Sequence, residues 1–165
     1  MDFRPVTTTE IGLAHAVYLE VVEWLKARGI RQWLRPLTRE EFTERQARGE
    51  LFAGFMDGHL AATVSVAFEE DADWLEHLER RKRWWIKTLA ISRAYEGRAL
   101  GRRMVERSEA FARDSSATEV YLECVDTGFL PEYYTGLGYE VLVRAKITYP
   151  SGNTFPVALM RKSLA

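Results

Sequence analysis

The sequence offers no means of covalent cross-linking. Its 165 residues include a single cysteine, Cys124, so no internal disulfide can form and no thiolate cluster can hold a metal. Histidine is also scarce, and the three present (His15, His59, His77) are scattered too widely to share metal-ligand spacing. Chemistry without a metal is expected. No apolar run approaches membrane-spanning length, and Met1-Asp2-Phe3-Arg4-Pro5 lacks the charged-then-apolar layout of a secretion signal. A cytoplasmic protein is therefore expected. Nor is there an excess of either charge: 23 Lys and Arg stand against 24 Asp and Glu. That balance supplies no global attraction to nucleic acid or to a membrane surface. What remains is an ordinary globular composition, 47% hydrophobic, read as one domain over residues 1–165 and long enough to bury one substantial core. No repeat or low-complexity linker interrupts it.

The most informative stretch begins at Ile86. Ile86-Lys87-Thr88-Leu89-Ala90-Ile91 is an apolar run of strand length, and Ser92 to Ala99 is a turn. A helix follows, with Leu100, Met104, Ser108 and Phe111/Ala112 on one face and arginines and Glu106 around the rest. The first N–H groups of a helix lack internal acceptors, and the helix dipole favours negative charge beside them. Gly97 and Gly101 remove side chains that would block an anion, and Arg98, Arg102 and Arg103 can neutralise one. These features make a diphosphate seat. Two other phosphate motifs fail here. A P-loop needs Gly-x-x-x-x-Gly-Lys followed by Ser or Thr, and a dinucleotide fingerprint needs three glycines; neither is present.

The remaining elements follow from local patterns. Phe3 to Val6 reads as a short strand. Thr7-Thr8-Thr9-Glu10 resembles a capping box ahead of a helix with Ala14, Val17, Tyr18, Val21 and Leu25 on one face, stopped at Arg28-Gly29. Ile30 to Leu37 is a loop, and Thr38-Arg39-Glu40-Glu41 opens a second helix ending near Gly49. Leu51–Met56 and His59–Phe68 flank Asp57-Gly58, a strong hairpin signal. Six carboxylates between Glu69 and Glu79 precede Arg80-Arg81-Lys82-Arg83-Trp84-Trp85, read as a short helix or an excursion before the central strand. Glu119–Val125 is a strand, Pro131–Leu137 a helix stopped by Gly138, and Tyr139–Thr148 a strand. A turn over 149–154 leads to a last strand, Pro156–Arg161. The order β-α-α-β-β-β-α-β-α-β-β is an α+β, or mixed α/β, layout.

Glu96-Gly97-Arg98-Ala99-Leu100-Gly101 resembles the phosphate loop of the GNAT superfamily of acyl-CoA-dependent N-acetyltransferases, with Glu96 where a cation or amide is usual and Ala99 where a glycine is usual. Tyr133-Tyr134-Thr135-Gly136-Leu137-Gly138-Tyr139 is similar to that family's Phe-Tyr-x-x-x-Gly-Phe segment, and the element order is the family's too. The resemblance implies a GNAT-like fold, a central mixed sheet of about seven strands flanked by about four helices. It implies acetyl-CoA as acyl donor, with no metal, and a primary amine of a small molecule or peptide as acceptor. Tyr134 would be the general acid to the departing thiolate. Leu89, Ala90 and Ile91 would pair through their main chain with pantetheine, and a strand N–H would hold the thioester oxygen. Gly97, Arg98, Ala99, Leu100, Gly101, Arg102 and Arg103 would seat the pyrophosphate. Thr127, in the region where the family often carries an asparagine, would be a further cofactor contact.

The base stays open. Lys87 and Thr88 occupy strand positions where some relatives place a glutamate; Glu123, or an acid of the Glu69–Glu79 segment acting through water, is the alternative. Cys124 has no base near it in sequence and reads as a buried thiol. Trp24, Trp33 and Trp74 with the acidic segment suit a cationic amine, or else are core and interface residues, which leaves a homodimer open. Two rivals stand beside the enzyme: a non-catalytic acyl-CoA binder, and a nucleic-acid module using Arg80 to Trp85.

Overall fold

The computed structural model describes residues 1–30, 32–149 and 152–165. Its strands are β1 (Asp2–Pro5), β2 (Leu51–Met56), β3 (His59–Glu69), β4 (Arg83–Ile91), β5 (Glu119–Val125), β6 (Glu140–Thr148) and β7 (Thr154–Ser163). Its helices are α1 (Ile11–Ala27), α2 (Arg39–Ala47), α3 (Leu100–Asp114) and α4 (Leu130–Thr135). The seven strands form one mixed sheet, hydrogen-bonded in the order β1-β2-β3-β4-β5-β7-β6. The mixed α+β class, seven strands and four helices are those expected. The turn expected over 149–154 lies partly outside the described residues, which omit 150 and 151.

Two compact units share this chain. Unit 1 is Met1–Val66 with Lys87–Ser108, and unit 2 is Ala67–Ile86 with Glu109–Ala165. In unit 1, β1 and β2 pair antiparallel, and β2 and β3 form the expected hairpin. Asp57 and Gly58 both take positive φ, 52° and 80°, as a two-residue turn matched to strand twist requires. The expected face of α1 is the buried one: Ala14, Val17, Tyr18, Val21 and Leu25 all face the interior. Ala14, Tyr18, Val21 and Leu25 pack with Val6, Phe42, Leu51 and Ala90 in one apolar cluster. Each large aliphatic or aromatic side chain removed from water there contributes about 1.5–3 kcal/mol.

The first capping box forms with a modification. Glu10 reaches back to the Thr7 N–H at 3.0 Å and its hydroxyl at 2.8 Å, but the turn it closes is a 3-10 segment, Thr8–Glu10, ahead of α1. Arg4 on β1 pairs with the same carboxylate at 2.7 Å, tying strand to helix. Thr38 and Glu41 form the second box at α2, with mutual bonds of 3.2 and 2.7 Å.

In unit 2, β5 pairs antiparallel with β7, and β7 with β6. β4 meets β5 in parallel register at Trp85↔Tyr121. Its core gathers Trp74, Trp85, Tyr121, Ile147, Val157 and Leu159. Two sequence expectations are revised here. The acidic segment forms only a 3-10 turn, Ala72–Trp74, whose tryptophan is fully buried as a core residue. The run after it is no simple excursion: Arg83, Trp84 and Trp85 are the first residues of β4. Alternation explains the change, because Arg83 and Trp85 both point inward and are buried while Trp84 is half-buried.

The Arg4 guanidinium, then the Thr7 N–H and hydroxyl, hold the Glu10 carboxyl at about 2, well below its ordinary value. A depressed carboxyl stabilises the fold above its unfolded pKa, and that stabilisation fades as pH falls through the folded one. Glu10→Gln is therefore expected to lower the melting temperature at pH 7. The gap to wild type should close as pH falls from about 4.5 towards about 2, as followed by thermal melts across that range.

Candidate functional site

Glu20 of α1 sets where β4 ends in unit 1. Its carboxylate accepts from the Arg93 N–H at 2.6 Å and the Ser92 hydroxyl at 3.3 Å, fixing the start of the turn. A 3-10 segment, Arg93–Tyr95, follows. Gly97 then takes φ 77°, Ala99 takes φ 52°, and α3 begins at Leu100. The first helical bond there runs from the Arg103 N–H to the Ala99 carbonyl at 3.2 Å. Among the described residues, the amides of Ala99, Leu100, Gly101 and Arg102 meet no protein acceptor. This is an anion seat in the geometric sense: free N–H groups at the positive end of a helix of 15 residues.

The two departures from the family loop are each accommodated. Glu96 forms an ion pair with Arg93, three residues earlier, and is exposed, so its charge is balanced within the turn. Arg93 also lies over the Trp24 ring at 4.2 Å, which holds that guanidinium in place. Ala99 adopts the left-handed conformation that glycine takes freely, at a strain of about 1–2 kcal/mol for a residue with a Cβ.

A second strained residue sits in β4. Thr88 has φ 54°, an outlier for a β-branched side chain. Arg45 of α2 secures it, donating to the Thr88 hydroxyl at 2.9 Å and the Ser65 hydroxyl at 2.8 Å. Sequence reading missed this clamp, since its members lie 20 and 43 residues apart and carry no shared motif. Leu89 and Ile91 are half-buried and Ala90 is fully buried.

Unit 2 carries the second motif. Tyr134 stands on α4, half-buried, with the Tyr133 and Tyr139 rings against it edge-on at 5.2 and 5.9 Å. Burial, then the neighbouring Cys124 and Tyr133, push its phenol above the ordinary tyrosine range. Among the described residues its hydroxyl has no protein partner. Thr127 lies exposed in the connection from β5 to α4. Beside it Asp126 pairs with Arg144 at 2.8 Å.

Glu123 of β5 is more engaged than a solvated strand glutamate. The Trp74 indole donates to one carboxylate oxygen at 2.7 Å and the Tyr149 hydroxyl to the other at 3.1 Å. Burial, followed by the Glu123 charge, raises the Tyr149 phenol. Cys124 is buried beside Met160, and burial, helped by the Asp126 and Glu123 charges, pushes its thiol up to about 12. A thiol so high is protonated at neutral pH and is no nucleophile. Two of the histidines serve local packing: His15 meets the Leu37 carbonyl at 2.8 Å, and His77 lies beside the Trp74 ring. Among the described residues no group of three His, Cys, Asp or Glu is placed to hold a metal ion.

The mixed seven-stranded sheet with its four helices is the fold that the resemblance to acyl-CoA-dependent acetyltransferases implies. Comparison with known proteins gives the same answer. The acetyltransferase (GNAT) family profile matches residues 18–132, and the chain belongs to that family. It is similar to the uncharacterised N-acetyltransferase YesJ of Bacillus subtilis, 28% identical over 132 residues, covering 75% of this chain and 73% of YesJ. Its fold matches a GNAT acetyltransferase of Streptococcus agalactiae, at 16% identity and a TM-score of 0.81 over 98% of this chain and 94% of that one. It also matches YncA of Salmonella typhimurium, a putative acetyltransferase solved with its cofactor acetyl-CoA. That match has 14% identity and a TM-score of 0.72, over all of this chain (100%) and 94% of the other. No described helix is long and apolar enough to cross a membrane.

The strain at Ala99 predicts an asymmetric pair of variants. Ala99→Val adds β-branching to a left-handed residue and should lower stability by about 1 kcal/mol or more, a drop of about 2–4 °C in melting temperature for a chain of this size. Ala99→Gly exchanges relieved strain for unfolded-chain entropy and should stay within about 0.5 kcal/mol of wild type in the same calorimetric melts.

Proposed function

We propose that this N-acetyltransferase moves an acetyl group from acetyl-CoA to a primary amine of a small molecule or peptide by direct attack. We read residues 1–165 as one catalytic domain. The observation that carries the reading is the set of unpaired amides from Ala99 to Arg102, with Arg98, Arg102 and Arg103 in the same turn. A pyrophosphate is the ligand whose charge and oxygen count suit such a set. The strand residues Leu89 to Ile91 offer main-chain groups for pantetheine, and Thr127 a further contact.

In this reading Tyr134 gives the proton. As the amine attacks the thioester carbonyl, the C–S bond breaks and its electron pair leaves on sulfur; the phenol donates a hydrogen bond and then its proton there. A free thiol has a pKa of about 8.5, below that of a phenol. Burial disfavours a thiolate as it disfavours a phenolate, so the surroundings that raise Tyr134 also make the departing sulfur more basic. The attacking amine must be neutral, and an alkyl ammonium has a pKa of about 10.4. Glu123 is a candidate to receive that proton, although the Trp74 and Tyr149 bonds already engage both of its oxygens.

The test pairs binding with turnover. Acetyl-CoA should raise the melting temperature, and an amine panel should release free CoA thiol. Tyr134→Phe should cut kcat by about 10²-fold, the ordinary scale for a lost general acid, and leave the acetyl-CoA shift intact. Unchanged turnover would remove Tyr134 from the acid role, and stabilisation without thiol release from any amine would favour a non-catalytic binder. Gly101→Glu should abolish the acetyl-CoA shift by placing bulk and negative charge in the anion seat. A shift of wild-type size in that variant would move the pyrophosphate elsewhere.

A further inference from the structure

The basic and aromatic run leading into β4 plays no part in the acetyl-transfer reading, yet it borders an open groove. That groove, about 430 Å³ and within unit 2, shares no lining residue with the acetyl-transfer residues above. Lys82, Arg83, Phe68, Trp84, Ser116 and Thr118 line it. Its volume falls in the range of small-molecule sites.

Three observations give the groove its chemistry. The first is a charge that no carboxylate answers, although the Arg83 guanidinium that carries it lies over the Tyr121 ring at 5.4 Å. Arg83 is only 8% exposed, and its Nη1 donates to the main-chain carbonyls of Glu79 and Arg81, at 2.8 and 3.1 Å. Its buried Nε has no partner, and among the described residues no carboxylate pairs with this guanidinium. Buried arginines are ordinarily matched to an anion. Lys82 beside it is exposed and also lacks an ion pair among the described residues. The one carboxylate lining the groove, Glu119, is already engaged by Arg81 at 3.0 Å, Arg161 at 3.7 Å and the Tyr121 hydroxyl at 2.8 Å. Second, the groove has an exposed aromatic shelf. Phe68 is 50% exposed, and its ring lies 5.3 Å from Trp84. Third, the hydroxyls of Ser116 and Thr118 add hydrogen-bond donors suited to an anionic head.

The plainer explanation, cations gathered to cap the end of α3, does not account for them. The last carbonyls of that helix are met by its own following amides: Ser115 and Ala117 donate to Ala112, and Ser116 to Arg113, all within 3.0 Å. A polymer of nucleotides fits less well than a small ligand. Arg80 is paired with Glu70 and Arg81 with Glu119, so the run does not present the row of free cations that phosphate-backbone binding uses.

We propose that this groove binds a small aromatic anion, a single planar ring carrying a phosphate or carboxylate. The ring lies on the Phe68–Trp84 shelf and the head group meets Lys82, Arg83 and the two hydroxyls. Phenyl phosphate and benzoate are the probes, titrated into ¹⁵N-labelled full-length protein saturated with CoA. Saturable shifts are expected at the Trp84 indole and the amides of residues 115–118, with inorganic phosphate binding at least about tenfold more weakly. Lys82→Glu should weaken both probes at least about tenfold and leave the acetyl-CoA thermal shift at its wild-type size. The proposal is overturned by absence of saturable shifts up to about 10 mM of either probe, or by equal binding to the Lys82→Glu protein. It is also overturned if CoA saturation eliminates the shifts, or if only single-stranded RNA binds this face, with a steep salt dependence.

Discussion

Four backbone amides without acceptors, at the start of α3, are the constraint around which unit 1 is arranged. A helix ordinarily receives its chain from a capping residue whose side chain answers those amides. Here the chain arrives through Ala99 in a left-handed conformation, and an alanine has nothing with which to cap. Everything upstream keeps that arrival in place. Glu20 fixes the end of β4 through the Ser92 hydroxyl and the Arg93 N–H, and Arg93 balances Glu96 while lying on Trp24. The outcome is a local field that favours anions, produced without any lysine in the loop.

Unit 2 keeps several of its buried polar groups protonated or paired. Tyr134 and Cys124 are both pushed upward by burial and stay neutral at neutral pH. Glu123 is held from both sides by an indole and a phenol, and Glu109 meets Lys162 at 2.7 Å. In such surroundings a proton donor keeps its proton until a stronger demand appears next to it, which suits the acid role proposed for Tyr134. Arg83 departs from the pattern, because its charge is permanent and burial cannot neutralise it.

Sequence carried the fold wherever the determinant was local. Asp57-Gly58 fixed the β2–β3 hairpin because both residues tolerate positive φ. The α1 face was legible from spacing alone, and both capping boxes from the threonine-to-glutamate interval. The glycine-containing turn into α3 was legible, and its resemblance to a phosphate loop is carried by Gly97 and Gly101 despite Glu96 and Ala99. Long-range partners were not legible. Nothing in the sequence places Arg45 beside Thr88, or Trp74 and Tyr149 around Glu123, since each contact joins segments that only the folded sheet brings together. The beginning of β4 was hidden for a different reason: arginines masked the alternation in Arg83-Trp84-Trp85, and a buried arginine in a strand runs against the usual hydrophobic signal.

The height of the Cys124 thiol has a practical corollary for how this protein can be watched. Aryl disulfide reagents react with thiolates, and a sulfur that ionises only near pH 12 presents almost none to them at working pH. With no other cysteine in the chain, the protein contributes little colour with such a reagent, and the chromophore released reports coenzyme sulfur.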